Sequence, residues 1–256
     1  MGYLVQMKKE GDIRLDKALV SGGLVKSRAR AKTLIEEGGV AVDGVPVIDP
    51  DFAVSENSAL ALLHEDIPWV SRGALKLLHA FDEWDLDVEG KVALDIGAST
   101  GGFTEVLLSR GAAKVYALDV GHDQLDPSLQ KDPRVVSMEG KHILDTLPED
   151  FPELIEFIAI DVSFISLTKV LAKAYELLAD GGELVALVKP QFEVGKDHID
   201  KGIVRDSYLR EEALRRSVVA AKGAEWVVLG TTDSPIEGGA GNKEYLLYAV
   251  KSEEGK

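Results

Sequence analysis

The chain has 256 residues, 45% apolar and 29% charged, enough to build one full core and a smaller second one. It contains no cysteine, which excludes disulfides, thiolate metal sites and thiol nucleophiles together. Its net charge of −15 runs against a general affinity for nucleic acid, yet residues 14–32 carry Arg14, Lys17, Lys26, Arg28, Arg30 and Lys32 against Asp16 alone.

The longest uncharged apolar runs, residues 60–63 and 157–160, are strand-sized, so no membrane span is expected. Residues 1–10 are mixed and lack the apolar core of a signal peptide. The expected location is the cytoplasm, with no membrane partner and no metal.

Apolar residues at helical spacing predict helices over 13–20 and 27–37. Leu15, Ala18 and Leu19 share one face of the first, and Ala29, Leu34 and Ile35 one face of the second. Ser27 is placed to cap the second helix and Gly38-Gly39 to end it. Short apolar runs around Asp43-Gly44, over 40–47, predict a β-hairpin, and 59–63 a closing strand. Residues 64–70, with Pro68, read as a linker. Beyond it, 71–84 read as a helix. Strands are then expected at 92–96, 114–119, 135–138, 157–161, 183–189, 225–231 and 244–250, with helices at 102–110, 167–178 and 208–222. This alternation predicts an α/β fold with a mainly parallel sheet and helices on both faces. The expected division is 1–63, a linker 64–70, and 71–256.

The strongest motif is Leu94-Asp-Ile-Gly-Ala-Ser-Thr-Gly-Gly-Phe-Thr104. A buried strand runs into a glycine-rich turn and then a helix, which brings backbone close to a ligand at a helix N-terminus. Tyr116-Ala-Leu-Asp119 ends the next strand with a carboxylate, a position from which acids bind ribose hydroxyls. The spacing is not GxGxxG, so a nucleoside ligand fits better than a dinucleotide. Ile160-Asp-Val-Ser-Phe164 lies at the end of the fourth core strand, where an open α/β sheet forms its ligand crevice. An Asn/Asp-Pro-Pro-aromatic run, usual for amine methylation, is absent there, and methylation of pyrimidine carbons needs a cysteine. An oxygen acceptor is favoured by elimination. Asp161 also reads as an N-cap for the helix after it.

Lys189, in Leu187-Val-Lys-Pro-Gln-Phe192, ends a buried strand, where a lysine is costly unless paired or functional. Lys76 falls on the polar face of the helix after the linker, where a solvated charge is the competing reading, and Glu244 starts a late strand, where an exposed edge residue is the competing reading.

Taken in order, Lys76, Asp161, Lys189 and Glu244 resemble the Lys-Asp-Lys-Glu tetrad of FtsJ-type ribose 2′-O-methyltransferases. Asp95-x-Gly97-x-x-x-Gly101 resembles motif I of class I S-adenosylmethionine methyltransferases, and Asp119 their ribose-binding acid. The wider chain resembles the TlyA family. Matching pieces include Arg14-Leu-Asp-Lys17, Ser27-Arg-Ala-Arg30, Val40-Ala-Val-Asp-Gly44, Ser71-Arg-Gly73, Lys189-Pro-Gln-Phe-Glu193, Gly202-Ile-Val-Arg-Asp206 and Gly241-Asn-Lys-Glu244. The resemblance implies a Rossmann-like class I methyltransferase domain behind a small α+β RNA-binding domain of the αL type. It implies S-adenosyl-L-methionine as cofactor, held by Asp95, Gly97, Ala98, Ser99, Gly101, Gly102, Phe103, Asp119 and Asp161. It implies RNA contacts from Arg14, Lys17, Arg28, Arg30 and Lys32, ribosomal RNA or ribosomal subunits as partner, and cytidine ribose hydroxyls as acceptor. The chain departs from the family at Glu139-Gly-Lys-His142, a region usually near the adenine, and at Ala74. Family members are often also labelled haemolysins. A membrane-active haemolysin, an inactive ribosome-associated RNA-binding protein and a small-molecule or protein methyltransferase stand as the alternatives, the last disfavoured by the RNA-binding module.

A ribose hydroxyl is a poor nucleophile while protonated, so a nearby base assists its methylation. Lys189 is the candidate base, with Asp161 and Glu244 assigned to orientation and hydrogen bonding.

Overall fold

A computed structural model of the chain describes residues 13–25, 28–36, 38–55, 57–63, 67–238 and 241–252. The expected cap Ser27, the cation Lys26 and residues 64–66 of the expected linker lie outside these described residues. The chain divides into two compact units, Met1–Arg72 and Gly73–Lys256.

In the first unit, α1 (Leu15–Ser21) and α2 (Arg28–Glu36) pack their apolar faces on β2 (Val40–Val42) and β5 (Leu60–Leu62). Leu15, Leu19, Leu34, Ile35, Val40 and Leu60 are removed almost completely from water. The hairpin forms as its turn residues require. Asp43 (φ 51°) and Gly44 (φ 81°) are both left-handed, as in the tight turn joining β2 to β3 (Val45–Pro46). The first helix starts at Leu15 rather than residue 13. Ile13–Arg14 instead form β1, antiparallel to β4 (Ala53–Val54). Two-residue strands carry no alternation by which a sequence could announce them.

The second unit is built on a seven-stranded sheet. Its strands in chain order are β6 (Val92–Ile96), β7 (Lys114–Asp119), β8 (Val135–Glu139), β9 (Ile155–Ile160), β10 (Leu178–Val188), β11 (Trp226–Asp233) and β12 (Tyr245–Lys251), and their spatial order is β11-β12-β10-β9-β6-β7-β8. The run from β10 to β8 is parallel, and β12 is antiparallel to both β10 and β11. The helices are α3 (Ala74–Trp84), α4 (Gly102–Ser109), the short α5 (Pro127–Gln130), α6 (Leu167–Leu177), the short α7 (Pro190–Glu193) and α8 (Ser207–Gly223). Side chains of β9 alternate between two layers. Ile158 and Ile160 join the core built with α6 and α8, while Phe157 stacks on Phe81 of α3. Strands buried on both faces explain the near-continuous apolar runs of β6, β7, β9 and β10.

This topology decides where the site lies. Chain reversal after β6 places β9 and β10 beside it on one side and β7 on the other, so the carboxyl ends of all four converge.

Candidate active site

The turn after β6 curls because three of its residues adopt left-handed backbone: Gly97 (φ 89°), Ser99 (φ 49°) and Gly101 (φ 99°). A Cβ on Gly97 would run into the backbone carbonyl of Asp161, so only glycine allows β6 and the loop after β9 to meet there. The N–H groups of Gly97 and Ala98 donate to Leu118 O, and that of Gly101 to Ala98 O. These residues shape the cradle through their own bonds. Groups left to face a ligand are the first-turn N–H groups of α4, starting at Gly102 and Phe103, which have no intrahelical partner. The Phe103 side chain itself is a core residue.

Asp119 ends β7. Its carboxylate accepts from Ser99 N (2.8 Å) and Gly121 N (2.7 Å), which locks its orientation and leaves lone pairs for further donors. Asp95 is fully buried. One oxygen accepts from Thr104 Oγ1 at 2.7 Å, and Oδ1 has no partner among the described residues. Burial, with Asp161 and Asp119 nearby, pushes its carboxyl up to about 7 against the pull of the Thr104 bonds. A glycine cradle, an oriented carboxylate at the end of β7 and a buried acidic oxygen without a partner fit a positively charged nucleoside such as S-adenosylmethionine. In the region that departs from the family, Glu139 accepts from Gln124 N and Leu125 N, and His142 caps a short 3-10 helix by accepting from Leu144 N.

Next to the cradle stand two ion pairs. Lys189, one residue beyond β10, sets Nζ 2.5 Å from Asp161 Oδ1 and 3.0 Å from Ser163 Oγ. Lys76 Nζ lies 2.6 Å from Glu244 Oε2, and Gln191 Nε2 donates to the other Glu244 oxygen at 3.1 Å. Burial pushes the Asp161 carboxyl up, but the charges of Lys189 and Lys76 outweigh it and hold the group below its usual range. Lys76 is therefore felt at Asp161, and the four residues form one electrostatic unit. A cavity of about 410 Å³ is lined by Lys76, Lys189 and Glu244 together with Phe164, Phe192 and Ile199.

Three bland readings fail here. Lys76 is not a solvated helix charge, because its side chain is only 8% exposed. Glu244 is buried beside β12, an interior strand, rather than on an exposed edge. Asp161 does not cap α6; Ser166 does, accepting from Thr168 N. Asp161 also sits just past the end of β9 rather than within it.

Sequence reading missed several site residues. Phe164 is 92% exposed with φ 64°, an unusual state for a bulky side chain, and lies in ring contact with Phe192. Asn242 is buried and ties the loop at 202–204 to the site through Gly202 O and Val204 N. Both lie inside motifs that the sequence shows, but no periodicity reveals which loop each one contacts.

In the first unit the expected RNA contacts are only partly free. Arg14 and Arg28 both bond to the buried Asp16, and Arg14 also pairs with Asp51. Burial opposes ionisation of Asp16, but hydrogen bonds from Arg28 and Arg14 win and lower its carboxyl. Arg30 donates to Val70 O (3.0 Å), Lys32 lies 3.7 Å from Glu36, and Lys17 is exposed. Arg14, Arg28 and Arg30 are thus braced guanidinium groups, and Asp16 is joined by Asp51, an acid the local sequence does not show.

A parallel sheet continued by an antiparallel pair, with a glycine turn after β6 and an acid ending β7, defines a Rossmann-like methyltransferase. The profile of the FtsJ-like methyltransferase family matches residues 69–251, and that of the S4 domain residues 13–60. The chain is 44% identical to the 16S/23S rRNA (cytidine-2′-O)-methyltransferase TlyA of Mycobacterium tuberculosis, over 92% of this chain and 88% of that protein. It is 42% identical to Hemolysin A of Brachyspira hyodysenteriae, over 93% and 100%. A solved protein from Streptococcus thermophilus, described as a candidate hemolysin, superposes with a TM-score of 0.74 at 41% identity, covering 95% of this chain and 91% of that one. The chain belongs to the TlyA family of FtsJ-like methyltransferases that carry an S4 domain. Among the described residues, no helix is long and apolar enough to cross a membrane.

Proposed function

We propose that the chain transfers a methyl group from S-adenosyl-L-methionine to the ribose 2′-hydroxyl of cytidine in ribosomal RNA, in the cytoplasm. The observation that carries this reading is the pairing of Lys76 with Glu244 and of Lys189 with Asp161 around one cavity beside the glycine cradle. That the M. tuberculosis relative is named for cytidine 2′-O-methylation supports the substrate. The S4 unit, taken as residues 1–63 with 64–70 as a linker to 71–256, is assigned to RNA binding through Arg14, Lys17, Arg28, Arg30 and Lys32. Phosphate contacts there position the RNA, while the acceptor nucleotide must be splayed out to reach the cavity.

Asp95, the turn from Gly97 to Phe103, and Asp119 are assigned to the cofactor, which supplies a methyl group on a good sulfonium leaving group. The remaining work falls to the two ion pairs and the side chains that steady them. Positioning the hydroxyl in line accounts for much of the rate gain. We assign Lys189 Nζ to accept the hydroxyl proton, which requires that it first release the proton that pairs it with Asp161. Asp161 and Ser163 aim that amine, and the Lys76–Glu244 pair, steadied by Gln191, holds the opposite wall.

The test is incubation of the full chain with methyl-labelled cofactor and unmodified ribosomal subunits, followed by nuclease mapping. Label at a cytidine 2′-oxygen is the expected outcome. Binding of cofactor and RNA without transfer would instead support an inactive RNA-binding protein.

A further inference from the structure

The five-residue segment from Lys189 to Glu193 holds the site from three directions through alternate residues. Lys189 reaches Asp161 and Ser163, and Gln191 reaches Glu244. Glu193 accepts from Ser166 Oγ and from Leu167 N, both at 2.6 Å, where α6 begins. The loop 161–166 is therefore gripped at its front by Lys189 and at its back by Glu193. Between the two grips stands Phe164, left-handed and almost wholly exposed, against Phe192 and the cavity. A bulky residue leaves that conformation unless its surroundings impose it. The two Glu193 bonds, at the far end of the same loop, supply the constraint.

We propose that Glu193 is a positioning residue for methyl transfer: its carboxylate clasps the start of α6 and so holds the Phe164 turn as a wall for the acceptor nucleotide. This rests on the methyl-transfer reading above. A carboxylate suits the site best, because its two oxygens accept from the hydroxyl and the amide N–H together, whereas a carboxamide could keep both bonds only by donating its NH₂ group to the Ser166 hydroxyl.

Four full-length variants test this: E193A, E193Q, F164G and the double variant E193A/F164G. Single-turnover transfer to unmodified ribosomal subunits reports the rate, calorimetry reports cofactor affinity, and amide hydrogen exchange reports protection at residues 161–168 without substrate. E193A is expected to slow transfer by on the order of 10²-fold, as loss of positioning does. Cofactor affinity should be unchanged and exchange at Leu167 faster. E193Q should fall between wild type and E193A. In the F164G background, E193A should cause little further loss, because no held side chain remains. A wild-type rate in E193A, unchanged exchange, an equal loss of cofactor affinity, or fully multiplicative E193A and F164G effects would each overturn the clasp alone. A wild-type chain that transfers no methyl group overturns the reading beneath the proposal, and the proposal with it.

Discussion

Glu244→Ala is the most informative perturbation of the buried pair. The side chains of Lys76 and Glu244 are 8% and 1% exposed and lie 2.6 Å apart. At that distance, with an effective dielectric of about 20, their gross attraction is about 6 kcal/mol. Desolvating the two ions costs several kcal/mol each, so the intact pair is near break-even. Removing one partner is another matter, because the desolvation stays and the attraction goes, typically at about 3–5 kcal/mol. Asp161 still feels Lys76, which argues for the lower end, about 3 kcal/mol. Gln191 Nε2 loses its acceptor as well, for about 1 kcal/mol more. Glu244→Ala should therefore cost about 4 kcal/mol, while the double variant Lys76→Met with Glu244→Leu, which removes both charges, should stay within about 1–2 kcal/mol of wild type. Urea unfolding followed by fluorescence of Trp84 and Trp226, both in the second unit, reads the difference. Both variants should be inactive in transfer. A Glu244→Ala variant as stable as wild type, or a double variant as unstable as the single one, would refute the account of a buried, mutually dependent pair.

Lys189→Ala should slow single-turnover transfer by about 10²–10⁴-fold with cofactor and RNA affinity kept, and Lys189→Arg should fail too because a guanidinium cannot accept the proton; more than about a tenth of the wild-type rate would exclude the base role. Asp95, pushed up to about 7, binds its proton more tightly folded than unfolded, where the value is about 3.9. Its contribution to stability is complete below pH of about 4 and is lost as pH rises through about 7. Asp95→Asn should flatten that part of the stability profile, and a wild-type profile without such a fall would contradict the raised value. Replacing Arg28, Arg30 and Lys32 with alanine should lower the salt slope of RNA binding by up to about three log units per log unit. An unchanged slope would mean that these side chains form only a braced, solvated surface.

What the sequence by itself determined is what local chemistry encodes. Asp43-Gly44 demanded a hairpin because the pair accepts left-handed backbone, and Gly97 with Gly101 demanded a tight turn into α4 for the same reason. Alternating strand and helix periodicities announced the sheet, and Asp119 ended its strand where a ligand-facing acid belongs. Lys76, Asp161, Lys189 and Glu244 were legible as a set only through their order and family resemblance, not through any local pattern. Their state was not legible. Lys76 sits on a helix whose sequence allows a solvated charge, and it becomes buried only because β12, 168 residues away, brings Glu244 against it. Arg14 and Arg28 looked like free cations until the fold closed Asp51 and the buried Asp16 around them. The grip of Glu193 on α6, and with it the exposure of Phe164, depends on β9 and β10 being neighbours. Periodicity and turn chemistry follow from φ, ψ and side-chain spacing within a few residues. Burial and charge pairing follow from strand order, which only the packing of the whole sheet decides.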